Sequence, residues 1–342
     1  MTQSPSPSEE IQKQAAKVLS HVAGYVGVRT IDIGIKQGLF AAFAEKGAMS
    51  PEDLAKATAI DPLYSMVWCR SAYANELLEK DGEKFVLAPH MDKLLLDDNF
   101  PGHVGGLPAV MLAPDVFNRF AENLASGKRS WWDQVTPEFI KAVRTTGRSF
   151  YNRLVPAGIA RVPSLEEQLT AGARVLELAP GAGYGISKLA NAYPNCTFVG
   201  VDGDEFSLGL AAEAIKEAGV ADRVELVQST FEDFVRDGEF DVAIISISMH
   251  ECRNLDRVTK NVHQSLKDGG IFVISDFPFP ETVEATRTVP ARIMSGIQFF
   301  EALIDDQLLP TSHFVALLQK HGFTDVDAFD ITPVHAVTYG RK

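Results

Sequence analysis

The sequence predicts an α/β protein: a doubly wound, mostly parallel sheet preceded by an N-terminal all-α, winged-helix-like unit. Three observations predict it. Residues 174–190 read RVLELAPGAGYGISKLA, an apolar run, then a glycine-rich turn, then a helical pattern. Further apolar runs at 197–201, 224–227, 240–247 and 271–275 alternate with helical patterns, which is the order that builds a parallel sheet. Ahead of them, residues 11–87 read as several helices followed by a hairpin.

Composition sets the outer limits. A chain of 342 residues is long enough for two domains and a sizeable core. Hydrophobic content of 46% and charged content of 23% are ordinary for a globular protein. A formal net charge of −13 disfavours a nucleic-acid or anionic-membrane partner. Cys69, Cys196 and Cys252 are widely separated; they form no disulfide framework and no metal-ligand spacing, so no metal and a reducing cytoplasm are expected. No apolar run reaches the roughly 18 residues of a membrane span. The opening MTQSPSPSEE is polar and acidic, unlike a signal peptide, and residues 1–10 are expected to be a disordered tail.

The N-terminal elements follow from periodicity and capping. Ile31, Ile35, Leu39 and Phe43 recur every four residues, so residues 11–43 read as helix, interrupted at Gly38. Ser50-Pro51-Glu52-Asp53 is a helix start, with a cap, a first-position proline and acids in the first turn. Asp61-Pro62 opens another helix in the same way, to about Leu78. Asp81-Gly82 is a turn, and residues 84–87 are a short strand. Helix, helix, helix, hairpin is a winged-helix order. Its second helix carries only Arg70 as a base beside Trp68, Cys69 and Tyr73, whereas a DNA-reading helix presents several basic and amide groups. A protein-facing module is therefore expected. Residues 106–165 form a helical, aromatic-rich connector with Trp131, Trp132, Phe139, Phe150 and Tyr151. They are either core or a lid over an apolar acceptor.

The glycine turn points to a nucleotide-like ligand. Gly181, Gly183 and Gly185 follow the strand at once, so the backbone can turn tightly and a ligand can approach the peptide groups. The next apolar run ends at Asp202, 21 residues after Gly181, where a ribose-binding acid belongs in a doubly wound site. The spacing is G-x-G-x-G, not the G-x-G-x-x-G of dinucleotide binders. Glu177 lies inside the strand; it would repel pyrophosphate and suit a cationic amino-acid ligand. A nicotinamide oxidoreductase is disfavoured on both counts.

At these residues the sequence resembles the class I S-adenosylmethionine-dependent methyltransferases, whose first motif places an acid before glycines and whose second strand ends in a ribose-binding acid. Ala179 stands where that family commonly has a further glycine, a cheap change if the backbone there is not left-handed. The stretches IDIGIKQGLF, MSPEDLAKATAIDP and LLEKDGEKFVLAP resemble the N-terminal dimerisation domain of plant-type and bacterial small-molecule O-methyltransferases. The resemblance implies a Rossmann-like catalytic domain over 166–342, a dimerisation domain over 11–105, S-adenosyl-L-methionine as cofactor and a homodimer. The cofactor set it implies is Glu177, Gly181, Gly183, Asp202 and Gly203, with Ser246 at the end of the fourth strand. In the family an acid after the third strand meets adenine. Here Ser229 stands in that place, so Ser229, Thr230 and Phe231 are the candidates.

For transfer to a hydroxyl, a positioned base takes the proton. His250 follows the fourth strand, where the resembling enzymes carry a catalytic histidine in His-Asp-Trp; here the triplet is His250-Glu251-Cys252. Glu251 either orients His250 or faces solvent. The family's later catalytic carboxylates have no clear counterpart beyond the neighbourhood of residues 310–313. His313 is a weaker second base candidate and His263 is expected on the surface. The acceptor is expected to be a small, fairly hydrophobic molecule, with Trp131, Phe150, Tyr151, Met294 and Phe299 as pocket candidates. N-, S- or C-transfer, or a cofactor-binding protein with altered chemistry, stays open alongside O-methylation. A winged-helix regulator is the remaining, less favoured class.

Overall fold

The computed structural model describes residues 6–130 and 132–342. The chain divides into two compact units, Met1–Ala109 and Val110–Lys342. Among the described residues no helix is long and apolar enough to cross a membrane.

The first unit begins with a long helix, α1 (Pro7–Lys36). Ser6 caps it: its hydroxyl accepts from the Glu9 amide and the Glu9 carboxylate accepts from the Ser6 amide, a reciprocal arrangement that satisfies two free donors. The helix thus occupies part of the segment expected to be a tail. Gly38, at φ +67°, separates α1 from α2 (Leu39–Lys46). Then come α3 (Pro51–Thr58) and α4 (Pro62–Ala74), capped by Ser50 and Asp61 as their sequences predict. The hairpin β1 (Leu78–Asp81) and β2 (Lys84–Leu87) follows, and α5 (Met91–Leu95) completes the order. Phe40, Phe43, Leu54, Trp68 and Leu78 form the core of this unit. Only Thr30, Asp32 and Gly34 of α1 are buried.

After α6 (Leu107–Met111), the second unit continues with α7 (Phe117–Asn123), α8 (Pro137–Arg153) and α9 (Leu165–Ala171). The alternating part is β3 (Arg174–Leu178), α10 (Tyr184–Ala192), β4 (Thr197–Asp202), α11 (Glu205–Glu217), β5 (Val224–Gln228), β6 (Phe240–Ser246), α12 (Leu255–Ser265) and β7 (Leu266–Asp276). Helices α13 (Val289–Leu303) and α14 (Thr311–Lys320) precede the antiparallel pair β8 (Thr324–Thr332) and β9 (His335–Arg341). The sheet order is β5-β4-β3-β6-β7-β9-β8. The first five of these strands are parallel and β9 runs antiparallel to β7.

Side-chain alternation explains why these strands read as unbroken apolar runs. Val175, Ile244 and Val273 enter one core with α8 to α11. Leu176, Leu178, Ala243, Ile245 and Phe272 enter the other with α12 and α14. A sheet covered on both faces has no polar side to show. Glu177 shares the face of Val175, so its carboxylate is carried into the first core. The order reverses between β3 and β6, which places the ligand-binding crevice of such sheets at their carboxyl ends.

Candidate active site

The cofactor side starts at the end of β3. Gly183 adopts φ +83°, and a Cβ there would come 2.7 Å from the Ala211 Cα, so α10 can pack against α11 only with glycine at its start. Gly181, at φ +51°, has open space where a side chain would be. Ala179 sits at φ +56°. The backbone there is left-handed after all, and its methyl group carries about 1–2 kcal/mol of strain that a glycine would avoid.

Asp202 ends β4 beside this turn. Its carboxylate accepts from the Gly181 amide at 3.1 Å and the Asp204 amide at 3.0 Å. Burial raises its pKa, and those amides oppose the rise. Gly203 next to it is exposed, with nothing nearer than 3.9 Å to a built Cβ. Glu177 is fully buried. Tyr151 donates to its Oε1 at 2.7 Å, while Oε2 has no hydrogen-bond partner among the described residues. Burial pushes the carboxyl up to about 8, against the pull of the tyrosine. An enclosed carboxylate oxygen left unpaired fits a cationic ligand group.

The other cofactor candidates divide. Ser229 donates to the Thr230 carbonyl and its amide donates to the Asp202 carbonyl, which keeps it at the mouth of the crevice. Thr230 is exposed and bonds Asp233. Phe231 instead packs against the core beneath β4 and β6. Ser246 is buried; its hydroxyl donates to Ser275 of β7 at 3.2 Å and also acts on the Tyr151 hydroxyl.

Beyond the switch point, His250 follows β6 and is 4% exposed. Its Nδ1 lies 2.8 and 3.0 Å from the two carboxylate oxygens of Asp276, the last residue of β7. Its Nε2 lies 3.6 Å from Glu301 Oε2, on α13. Burial works against charge on this ring, but Asp276 and Glu301 outweigh it and hold the proton well above the usual imidazole range. Burial, then the adjacent Glu301, likewise push Glu251 well above the usual carboxyl range. Asp306 is pushed up to about 7, chiefly by burial. A cavity of about 370 Å³ opens beside the ring, with Cys252, Gln298, Asp305, Asp306 and Leu309 in its wall.

Two sequence expectations change here. The acid that orients His250 is Asp276, not Glu251, because pairing of β6 with β7 sets the two strand ends side by side. Where the sequence offers no clear counterpart to a later carboxylate, Glu301 of α13 stands against Nε2; His313 is exposed at the start of α14. Glu251 nonetheless stays in the cluster. It, His250 and Glu301 bring three ligating atoms within 4.8 Å of one another, a set able to hold a divalent cation where the sequence suggested none.

The aromatic candidates are mostly packing groups. Phe150 rests on His335 and Phe277, with ring centroids at 4.4 and 4.9 Å. Met294 is buried with Ala291 and Leu308. Phe299 packs on Phe117 and Phe120. Tyr151 faces Glu177, on the cofactor side. His263 is half-buried against Phe323. Trp131 lies outside the described residues.

Residues 169–324 match the methyltransferase domain family. An uncharacterised methyltransferase of Synechocystis is 32% identical over 161 residues, spanning 46% of this chain and 70% of that protein. The chain belongs to the class I S-adenosylmethionine-dependent methyltransferases. A Geobacter ubiquinone/menaquinone biosynthesis C-methyltransferase is 28% identical to this methyltransferase over 210 residues, 55% of this chain and 88% of its own. Human N-acetylserotonin methyltransferase, solved in complex with S-adenosylmethionine, shares the fold across 100% of this chain and 99% of its own, with a TM-score of 0.65 and 15% identity. The methyltransferase uses S-adenosyl-L-methionine as its cofactor. Glu177 and Asp202, one at each side of the glycine turn, fit its amino and ribose groups.

Proposed function

We propose that this methyltransferase methylates a hydroxyl of a small, fairly hydrophobic acceptor, with His250 as general base. The observation that carries the reading is the His250–Asp276 pair, buried at adjoining strand ends beside a cavity. When bound, the cofactor supplies an electrophilic methyl group. Glu177 and Asp202 would hold its amino and ribose groups, and the amides after Gly181 would line its approach. Asp276 accepts the Nδ1 proton of His250, which leaves Nε2 as the atom that takes the acceptor's proton. Asp276 also steadies the imidazolium so formed, and Glu301 faces the same nitrogen. Burial of the ring keeps water away from this exchange.

The experiment is turnover of a high-pKa phenol by His250→Ala and Asp276→Asn. Cofactor affinity should be nearly unchanged in both, and His250→Ala turnover should fall by roughly 10²–10⁴. A His250→Ala enzyme with wild-type turnover and pH profile would remove the base. The similarity to a C-methyltransferase favours a second reading, transfer to ring carbon. Product analysis by mass spectrometry separates the two. A third arm addresses the cation-competent cluster. If His250 works as a base, Nε2 is not a metal ligand, so chelator treatment should leave the rate unchanged.

The resemblance and the apolar face of α1 support a homodimer built through the first unit. Ile11, Val18 and Tyr25 recur every seven residues and, with Leu19 and Val22, are exposed. Residues 6–26 are all exposed, so this stretch of α1 has little in its own chain to hold it. Three buried free thiols support a reducing, cytoplasmic setting.

A further inference from the structure

We propose that Tyr151 is a positioning residue for the cofactor, tying down one oxygen of Glu177 so that the other is left for the cationic amino group of the methionyl moiety. The inference rests on the reading of Glu177 given above and adds a residue from outside the glycine motif. Tyr151 comes from α8, 26 residues before Glu177, and its hydroxyl donates to Oε1 at 2.7 Å. The ring is 7% exposed and lies across Gly185 of α10, where an added Cβ would overlap it. Gly185 therefore makes room for the tyrosine, and the tyrosine is held in one place. The second oxygen of Glu177, Oε2, meets no donor among the described residues.

The surroundings give this bond leverage. Glu177 lies between Gly200 of β4 and Ile244 of β6, neither of them ionisable. The ionisable group against it is Tyr151, whose own proton is held by burial and by the Glu177 charge; Ser246 of β6 and Asp202 of β4 also act on that hydroxyl. Burial favours the neutral carboxyl, and the tyrosine bond is what opposes it. A cationic amine needs the ionised form. Affinity for a ligand carrying that amine should therefore rise with pH and level off above about 8. Without the tyrosine donor the midpoint moves up by about one unit, which makes binding at pH 7 roughly tenfold weaker.

Calorimetry between about pH 6 and 9.5 tests this with two probes. S-adenosylhomocysteine carries the amino-acid moiety; 5′-methylthioadenosine lacks it. Tyr151→Phe keeps the ring over Gly185 and so keeps the packing. It should shift the S-adenosylhomocysteine midpoint upward and leave 5′-methylthioadenosine affinity unchanged. A wild-type S-adenosylhomocysteine profile in Tyr151→Phe, or equal weakening of both probes, overturns the proposal. Glu177→Gln separates the two layers of the argument. Loss of the pH dependence in Glu177→Gln alone retains Glu177 as the amine acceptor and refutes Tyr151. A Glu177→Gln variant with wild-type affinity and profile refutes the reading of Glu177, and Tyr151 with it.

Discussion

Glu301 sets how readily His250 lets go of a proton. Its Oε2 stands 3.6 Å from Nε2, and both side chains are buried, so the attraction is poorly screened. A raised folded-state pKa keeps the imidazole charged to higher pH than a free one, and it becomes an acceptor only as pH rises. Turnover on a high-pKa hydroxyl should climb through a midpoint above the ordinary imidazole value of about 6.5. Glu301→Gln removes one of the two charges that raise it, so the midpoint should fall, measured under saturating cofactor and acceptor. An unchanged profile would separate Glu301 from the proton transfer. Ala179 offers a test of stability at the other end of the site. Its methyl group is forced into a left-handed backbone, and Ala179→Gly should stabilise the protein by about 1 kcal/mol in urea unfolding.

At the level of helices and strands, the sequence carries the framework more clearly than the catalytic partners. Apolar runs, glycine turns and capping residues are local signals, and they place β3 to β7 and the winged-helix order close to where they lie. The link between His250 and Asp276 is not local. It depends on which strands pair, and 26 residues separate the two side chains. Glu301 is further removed, on a helix whose orientation no pattern in 289–303 reveals. In the sequence Asp276 shows only as the acid that directly follows the apolar run 271–275. Neighbouring strand ends in a doubly wound sheet would have paired it with His250. Ala179 was misjudged because φ is not written in a single residue type. On α1 the surface makes its own prediction: Leu19→Glu with Val22→Glu puts charge into the exposed apolar face, and if the proposed homodimer forms through that face, light scattering at micromolar concentration should report a dimer for the wild type and a monomer for the variant.

Across the whole molecule, the two units differ in how far apart in sequence their partners lie. The first is built from successive helices and from a hairpin in which Asp81 pairs with Lys84. The second pairs β3 with β6 and β7 with β9, so its central strands wait for segments made much later. Loop closure over such distances makes parallel pairing slow, whereas contacts between sequence neighbours form quickly. The strand order thus becomes a timetable. Trp68, buried in the first unit against Phe40, is the natural reporter once Trp131 and Trp132 are replaced by phenylalanine. In stopped-flow refolding its signal should settle first, and the capacity to bind S-adenosylhomocysteine should return in a later phase. With the proposed dimer surface on the unit that forms first, a second copy could dock while the active site is still incomplete.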